Sequence, residues 1–183
     1  MTAALKATVV DAPPVPSLRQ LTDTRVPLAD SQEARVVSFR PSDGGIEPLA
    51  ILIGQLPLRQ PVLVRLHVAG LAEDLMAALG QGPSVRAAIA DLAVSGGGVV
   101  LYLRQERPSR STADIFSAAS PRPGAPDTGN RAYRLAADML ILLGLRCISL
   151  VGAAPGEAQR LATYGLDVTS HFACGSNGPA KSR

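Results

Sequence analysis

The sequence is poor in residues that bind soft metals or cross-link secreted proteins. Its 183 residues include only two cysteines and two histidines. A zinc site of four cysteines and a disulfide framework are therefore both excluded within one chain. Tryptophan is absent and aromatic residues make up 3% of the chain, so we expect an aliphatic core. The scarcity of cysteine is typical of a reducing compartment, and we expect a cytoplasmic protein.

Two further absences concern partners. No run of about 18 apolar residues occurs, so we expect no membrane-spanning helix. The apolar run within residues 1–10 is short and leads into a proline-rich stretch, which argues against a signal peptide. The formal net charge is only +3, and the aromatic side chains that stack on bases are scarce. A nucleic-acid partner is therefore not expected.

The residues that are present predict one domain with loose ends. Hydrophobic residues make up 46% of the chain, which is enough to bury a core at this length. Residues 1–23 are rich in proline and carry no pattern, so we predict a flexible N-terminus. We place the folded body at residues 24–172 and a flexible C-terminal tail at residues 173–183.

The first half of the body predicts strands. TRVPLAD and EARVVSFR alternate apolar and polar residues, while PLAILIG and VLVRLHV are short apolar runs typical of central strands. The segment RPSDGGI carries the glycines that a turn requires. We predict that this half forms a mostly antiparallel sheet.

The second half alternates helices and strands. Helices are predicted for LAEDLMAALG, PSVRAAIADLAVSGGG, NRAYRLAADMLILLG and PGEAQRLATYG, and strands for VVLYLR, RCISLVG and LDVTSHF. This rhythm implies right-handed crossovers and some parallel pairing, so the fold class is α+β. A stretch rich in serine, proline and arginine at residues 107–128 is predicted to be irregular. Within the third helix we expect Asp138 to make a structural bond, and we expect Tyr102 to lie in the core.

Four segments occur in an order that points to one family. They are PVLVRLH at 61–67, GGGVVLYLRQE at 96–106, NRAYRLAADMLILLG at 130–144 and LATYGLDV at 161–168. Together they resemble GTP cyclohydrolase II, an enzyme family of riboflavin biosynthesis. The resemblance implies an N-terminal antiparallel sheet, a C-terminal β-α-β-α-β layer and a homodimer. It also implies a reaction that opens the imidazole ring of GTP, releasing formate and pyrophosphate, with a zinc ion on three cysteines activating the water.

The resemblance carries over to several site residues. Arg131 occupies the position of the family's nucleophile toward the α-phosphate, which makes it the candidate catalytic residue. The positions that match nucleotide-binding residues of the family are Arg65, His67, Arg104, Gln105, Glu106 and Thr128. A second interpretation stays open for this set, namely that the retained charged residues only hold the fold together by pairing across a cleft.

The sequence departs from the family at the metal and phosphate positions. The three zinc-ligating cysteines correspond to Gly70, Gln81 and Pro83, so we predict no zinc and no other metal site in the protein alone. Magnesium is expected only together with a nucleotide. A phosphate-binding lysine of the family corresponds to Glu157, and the aspartate that precedes the nucleophile corresponds to Gly129. These changes reverse or remove charge where the phosphates of GTP would lie.

The sequence therefore predicts a zinc-less pseudoenzyme of the GTP cyclohydrolase II type, retaining at most nucleotide binding or a regulatory role with a partner. The expected ligand is GTP or another nucleotide. One alternative is a residual GTP-processing enzyme that releases pyrophosphate through Arg131. A second alternative is a protein-interaction module that binds its partner through residues 107–128.

Overall fold

The computed structural model describes residues 17–28, 33–56, 61–69, 77–78, 84–104, 128–153 and 156–172. These residues form one mixed sheet of seven strands. The strands are β1 (Leu18–Pro27), β2 (Glu33–Pro41), β3 (Leu49–Gly54), β4 (Val62–Ala69), β5 (Gly97–Arg104), β6 (Cys147–Val151) and β7 (Asp167–Phe172). Within the described ranges, three complete helices connect the later strands: α1 (Val85–Val94), α2 (Thr128–Leu142) and α3 (Glu157–Ala162).

The sheet changes from antiparallel to parallel at β5. Its spatial order is β1-β2-β3-β5-β4-β6-β7, so β5 lies between two strands that are consecutive in the sequence. The pairs β1–β2, β2–β3 and β3–β5 are antiparallel, whereas β5–β4, β4–β6 and β6–β7 are parallel. The α+β class and the antiparallel N-terminal strands are confirmed. The assignment of VLVRLHV to the antiparallel half was wrong, because β4 pairs in parallel with both of its neighbours.

Local sequence explains where the helices begin and end. Ser84 caps α1, with its hydroxyl accepting a hydrogen bond from the Ala87 N–H at 3.0 Å. After α2 the chain turns at Gly144, whose φ is +77°. Leu145 N–H then donates to the Leu140 carbonyl at 2.8 Å, and Gly144 N–H donates to the Ile141 carbonyl at 3.0 Å. These two bonds form the glycine-based ending that satisfies the last helical carbonyls.

The core lies on both faces of the sheet, and the larger part is under α2. That face buries Phe39, Val64 and Leu101 from the sheet against Met139 and Leu140 from α2. On the opposite face, Leu92 of α1 packs in a smaller cluster that includes Ile53 and Val100. Alternate residues of each central strand thus point to different helices, as a sheet with two covered faces requires.

Several predicted details can be compared with the structure. Asp138 is 8% exposed and accepts hydrogen bonds from Ser17 N–H at 3.0 Å and Ser17 Oγ at 2.6 Å, which confirms its structural role. Tyr102 is half-buried rather than fully in the core. The first strand begins at Leu18, before the predicted start of the body at Thr24. This strand is mostly exposed, so it lacks the apolar alternation on which a sequence-based boundary depends.

Some predictions fall outside the described residues. The helix predicted over residues 71–79 does so except for positions 77 and 78, which are helical. The irregular stretch at 107–128 lies outside them up to residue 127, as do most of residues 1–23 and the tail at 173–183. In the part of the chain that the structure describes, no helix is long and apolar enough to cross a membrane.

Candidate functional site

The candidate site lies at the edge where the parallel strands β4, β5 and β6 end. The helix α2 links β5 to β6, and a crossover between parallel strands must run back along the sheet. Its first turn, which carries Arg131, is therefore placed near the carboxyl ends of these strands. In sheets with parallel strands this edge is the usual position of a ligand.

Three of the predicted nucleotide-binding residues share one face of the sheet. Arg65 and His67 are alternate residues of β4, and in the parallel register His67 lies beside Tyr102 while Ala69 lies beside Arg104. The His67 ring, in a residue only 7% exposed, stacks on the Tyr102 ring with 5.5 Å between centroids and 13° between planes. This is the face of the sheet that α1 covers. Arg104, the last residue of β5, is exposed there.

The Arg65 side chain is held by backbone groups of the neighbouring strand. Its Nη1 donates to the carbonyl of Val151 at 2.9 Å. The next residue, Gly152, has a φ of +62°, and a Cβ built there would overlap Nη1 and Cζ of Arg65. The guanidinium therefore occupies space that any other residue at position 152 would fill. Arg65 and Gly152 fit together as a pair.

A cavity of about 210 Å³ opens beside Arg65, between α1 and the strands β4 and β6. Its walls are mostly apolar, and its polar residues are Arg65 on the sheet side and, on the other side, Asp91 of α1 and the N-cap residue Ser84. The lining residues are Arg65, Ser84, Ala87, Ala88, Asp91, Leu92 and Val151. An arginine and an aspartate are thus among the residues that line this mostly apolar cavity.

Arg131 has different surroundings, because its helix packs on the opposite face of the sheet. Its Nη1 and Nη2 donate to the two carboxylate oxygens of Asp43, with Nη2 at 3.1 Å from Oδ1. The side chains of Arg131 and Asp43 are 39% and 51% exposed. Hydrogen bonds from Arg131, and then from the Gly45 N–H, lower the pKa of Asp43 from 3.8 to about 2. The pair is therefore ionised at neutral pH.

A second carboxylate is fixed near the start of the same helix. Tyr133 OH donates to Oε1 of Glu157, the first residue of α3, at 3.0 Å. The guanidinium of Arg160 lies over the Tyr133 ring, 5.2 Å from its centroid. Burial, with the charge and hydrogen bond of Glu157, raises the pKa of Tyr133 to about 12. Tyr133 thus stays protonated and donates to Glu157.

The structure brings together only some of the predicted site residues. Arg65, His67 and Arg104 share the α1 face, while Arg131 belongs to the helix on the other face. Gln105 and Glu106 lie outside the described residues, and Thr128 is described only as the first residue of α2. Sequence reasoning missed Asp43, which was interpreted only as part of a turn, and it missed Gly152 as the partner of Arg65.

The residues at the expected zinc positions do not fit that metal. Gly70, Gln81 and Pro83 provide no thiolate, imidazole or carboxylate, and zinc in proteins is held by such donors. In the described ranges, no three or more His, Cys, Asp or Glu side chains are placed to hold a metal ion. No step of a reaction is therefore assigned to zinc in this chain.

Comparison with known proteins gives one consistent family. The model of the family "GTP cyclohydrolase II" matches residues 19–173. A "GTP cyclohydrolase-2" of Azospirillum brasilense is 35% identical over 167 residues, covering 84% of this chain and 43% of that protein. "Riboflavin biosynthesis protein RibBA" of Bacillus subtilis (strain 168) is 30% identical over 74% of this chain and 37% of its own length. The "GTP cyclohydrolase-2" of Pseudomonas paraeruginosa is 29% identical over 71% of this chain and 70% of its own. The chain thus spans 43% and 40% of the length of the two first curated relatives.

Proposed function

This chain belongs to the GTP cyclohydrolase II family of riboflavin biosynthesis, and from that membership we propose that it binds a nucleotide without opening its ring. The site of binding is the cavity beside Arg65. The chain keeps the fold of the family, and this fold positions Arg65 beside the cavity. The residues at the positions of the zinc ligands are no longer cysteines. The proposed role is therefore that of a nucleotide-responsive, non-hydrolytic member of the family.

The cavity beside Arg65 is the observation that carries this proposal. Its volume of about 210 Å³ exceeds the roughly 150 Å³ that holds benzene in an engineered protein cavity, and is below the roughly 300 Å³ of drug-sized sites. The size suits one heterocyclic ring system. Apolar walls from Ala88 and Leu92 would cover its faces, while Arg65 offers donors and Asp91 offers acceptors to its edge.

The loss of ring opening follows from the chemistry of that step. Attack of water on the ring carbon at neutral pH needs a Lewis acid that lowers the pKa of the water. Thiolate ligands hold that metal in the family which this chain resembles, and Gly70, Gln81 and Pro83 cannot replace them. We therefore expect no formate from GTP.

One set of measurements tests the proposal. The purified full chain is incubated with GTP and magnesium, and formate, pyrophosphate and bound zinc are measured. We expect neither product and no stoichiometric zinc. Formate release, or one tightly bound zinc per chain, would overturn the proposed loss of ring opening. Pyrophosphate without formate would instead favour the alternative in which Arg131 attacks the α-phosphate, which the ionised Asp43 beside it disfavours.

Calorimetric titration with GTP and guanosine tests binding itself. We expect Arg65→Gln to lose about tenfold in affinity, because a charge-assisted hydrogen bond to the ring is removed. Arg86→Gln is the matched control, since Arg86 is an exposed arginine of α1 outside the cavity lining. Equal affinities for both variants and the unmodified chain would exclude this cavity. Absence of binding by both GTP and guanosine would favour the interaction-module alternative.

A further inference from the structure

The turn after β2 holds Asp43 in position to bind a guanidinium. Gly44 has a φ of +78°, and its N–H donates to the Pro41 carbonyl at 3.2 Å, which closes the turn. The Gly45 N–H donates to Oδ1 of Asp43 at 3.2 Å. These backbone contacts fix the carboxylate before it meets Arg131. The side chain therefore loses little further freedom when the pair forms.

The Asp43 carboxylate occupies the same pair of Arg131 N–H donors that a phosphate group would use. Both terminal nitrogens of Arg131 donate to Asp43, one to each oxygen. Arginine binds carboxylates and phosphates with this same bidentate geometry. A phosphate can reach both nitrogens only by displacing Asp43, or by accepting the repulsion of a nearby negative charge.

Charges around the first turn of α2 add to this effect. The positive end of a helix attracts anions, and carboxylates placed there already satisfy that attraction. Two are present, Asp43 on Arg131 and Glu157 on Tyr133, while Arg131 and Arg160 supply two positive charges. The four groups sum to zero formal charge. A polyphosphate therefore gains much less here than at a cluster of unpaired cations.

From this arrangement we propose that Asp43 is a specificity-determining residue that excludes polyphosphate from the guanidinium of Arg131. The inference goes beyond the proposed function, because the Arg65 cavity lies under α1 and Arg131 belongs to the helix on the other face of the sheet. Exclusion of phosphate by Asp43 is a property of its bidentate contact with Arg131 and is separate from ligand binding in the cavity. The two can therefore be tested apart.

The first test uses inorganic pyrophosphate and no nucleotide. Calorimetric affinity is measured for the unmodified chain and for Asp43→Asn, which keeps the size of the side chain but removes its charge. We expect about tenfold tighter binding by the variant, since one competing partner and one repulsion are removed. The gain should disappear in the double variant Asp43→Asn/Arg131→Gln. An unchanged pyrophosphate affinity in Asp43→Asn, with folding verified by circular dichroism, would overturn the proposal.

Asp23→Asn provides the matched control. Asp23 forms another exposed bidentate pair, with Arg35 Nε at 2.7 Å and Nη2 at 2.6 Å, on the β1–β2 hairpin. Arg35 lowers the pKa of Asp23 as Arg131 lowers that of Asp43. We expect no gain in pyrophosphate affinity from this variant. An equal gain would show a general effect of net charge and would contradict a specific role for Asp43.

The second test measures guanosine affinity in the unmodified chain and in Asp43→Asn. We expect equal affinities, because guanosine carries no phosphate and the Arg65 cavity lies on the other face of the sheet. A changed guanosine affinity in Asp43→Asn would contradict a role limited to phosphate. If guanosine binds neither protein, the proposed function fails, and the pyrophosphate test still decides whether Asp43 excludes phosphate.

Discussion

Arg65 and Arg131 are both placed near the carboxyl ends of the parallel strands, but the first is held by backbone and the second by a side chain. Arg65 donates to the Val151 carbonyl and fills the space above Gly152. Arg131 is held by Asp43 in an exposed turn. The partner of Arg65 is a backbone carbonyl, which every residue type at position 151 would provide. The partner of Arg131 is the Asp43 side chain, which one substitution can remove.

This difference indicates which part of the site is fixed by the fold. Displacing the Arg65 side chain costs its hydrogen bond to the Val151 carbonyl. Arg131 can be released with little cost, because exposed ion pairs contribute about 0–1 kcal/mol. Ligand preference is therefore expected to change more readily at Arg131, and the position of the ring-sized cavity to persist. The predictions below test this contrast.

The largest effect is expected at Gly98 of β5, which lies against Leu63 and Leu92. A Cβ there would lie 2.7 Å from the Leu63 carbonyl oxygen and 2.8 Å from Cδ2 of Leu92, which lines the cavity. Because backbone cannot move aside, Gly98→Ala should lower the free energy of unfolding by about 2–3 kcal/mol in urea titration. Gly144→Ala, with a φ of +77° and nothing within 4 Å, should lose only about 1 kcal/mol from backbone strain. Equal losses would show that the contact of β5 with Leu63 and Leu92 adjusts to the added methyl group.

The next largest effect is expected at Gly152. Gly152→Ala should lower the free energy of unfolding by about 2 kcal/mol, of which about half is strain at positive φ and half is the Arg65–Val151 hydrogen bond. The flexible end of Arg65 can swing away, so the clash itself is relieved. Gly165→Ala, with a φ of +86° and open space, is the control for strain alone.

A double-mutant cycle isolates the Arg65 contribution at Gly152. In an Arg65→Ala background, the cost of Gly152→Ala should fall to about 1 kcal/mol, the value expected from strain. An undiminished cost would mean that Arg65 and Gly152 are energetically independent. The conclusion that the backbone at Val151 and Gly152 holds the Arg65 side chain in place would then be wrong.

A small effect on stability is expected at Asp43. Asp43→Asn should change the free energy of unfolding by at most about 1 kcal/mol, as for other exposed pairs. Asp23→Asn, at the similar pair on the hairpin, should behave alike. A much larger loss at Asp43 would make that pair a structural element like Gly152 and would remove the contrast between the two arginines.

The pH dependence of this pair should be the weakest signal. The pKa of Asp43 is lowered from 3.8 to about 2 in the folded state, so its contribution is present above pH 3.8 and is lost as pH falls through about 2. Carbon-detected NMR of the Asp43 carboxyl should give a midpoint near 2. In Arg131→Gln the midpoint should return toward 3.8, and an unchanged midpoint would mean that Arg131 does not lower it.

Sequence patterns predicted the elements of the fold better than their pairing. Alternation and apolar runs placed β2 to β7 but only the end of β1, and the stripe of Met139 and Leu140 marked the buried face of α2. The short connection between β3 and β4 favours an arrangement in which these two strands lie side by side, yet β5 lies between them in the sheet. A Cβ at Gly97 would stand 2.7 Å from the Ile53 carbonyl oxygen. Glycine at this position permits the close approach of β5 to β3, but the pattern of apolar residues does not indicate such an approach.

The site was only partly predictable because its contacts join distant parts of the chain. Resemblance to the family singled out Arg65 and Arg131. Their partners lie 86 and 88 residues away, at Val151 and Asp43, so no local spacing links them. Asp138 shows the limit of local reasoning: a buried acid in a helix implies a bond, but the identity of Ser17 required the fold.

The insertion of β5 between β3 and β4 also sets the order in which the nascent chain can assemble. The strands β1, β2 and β3 pair with their sequence neighbours, so they can form a meander as soon as they are synthesised. By contrast β4 has no partner until Gly97–Arg104 has followed it, and its second partner comes only with Cys147–Val151. During synthesis the strand that carries Arg65 and His67 must therefore wait for later segments of the chain. The cavity beside Arg65 is consequently among the last parts of the protein to form.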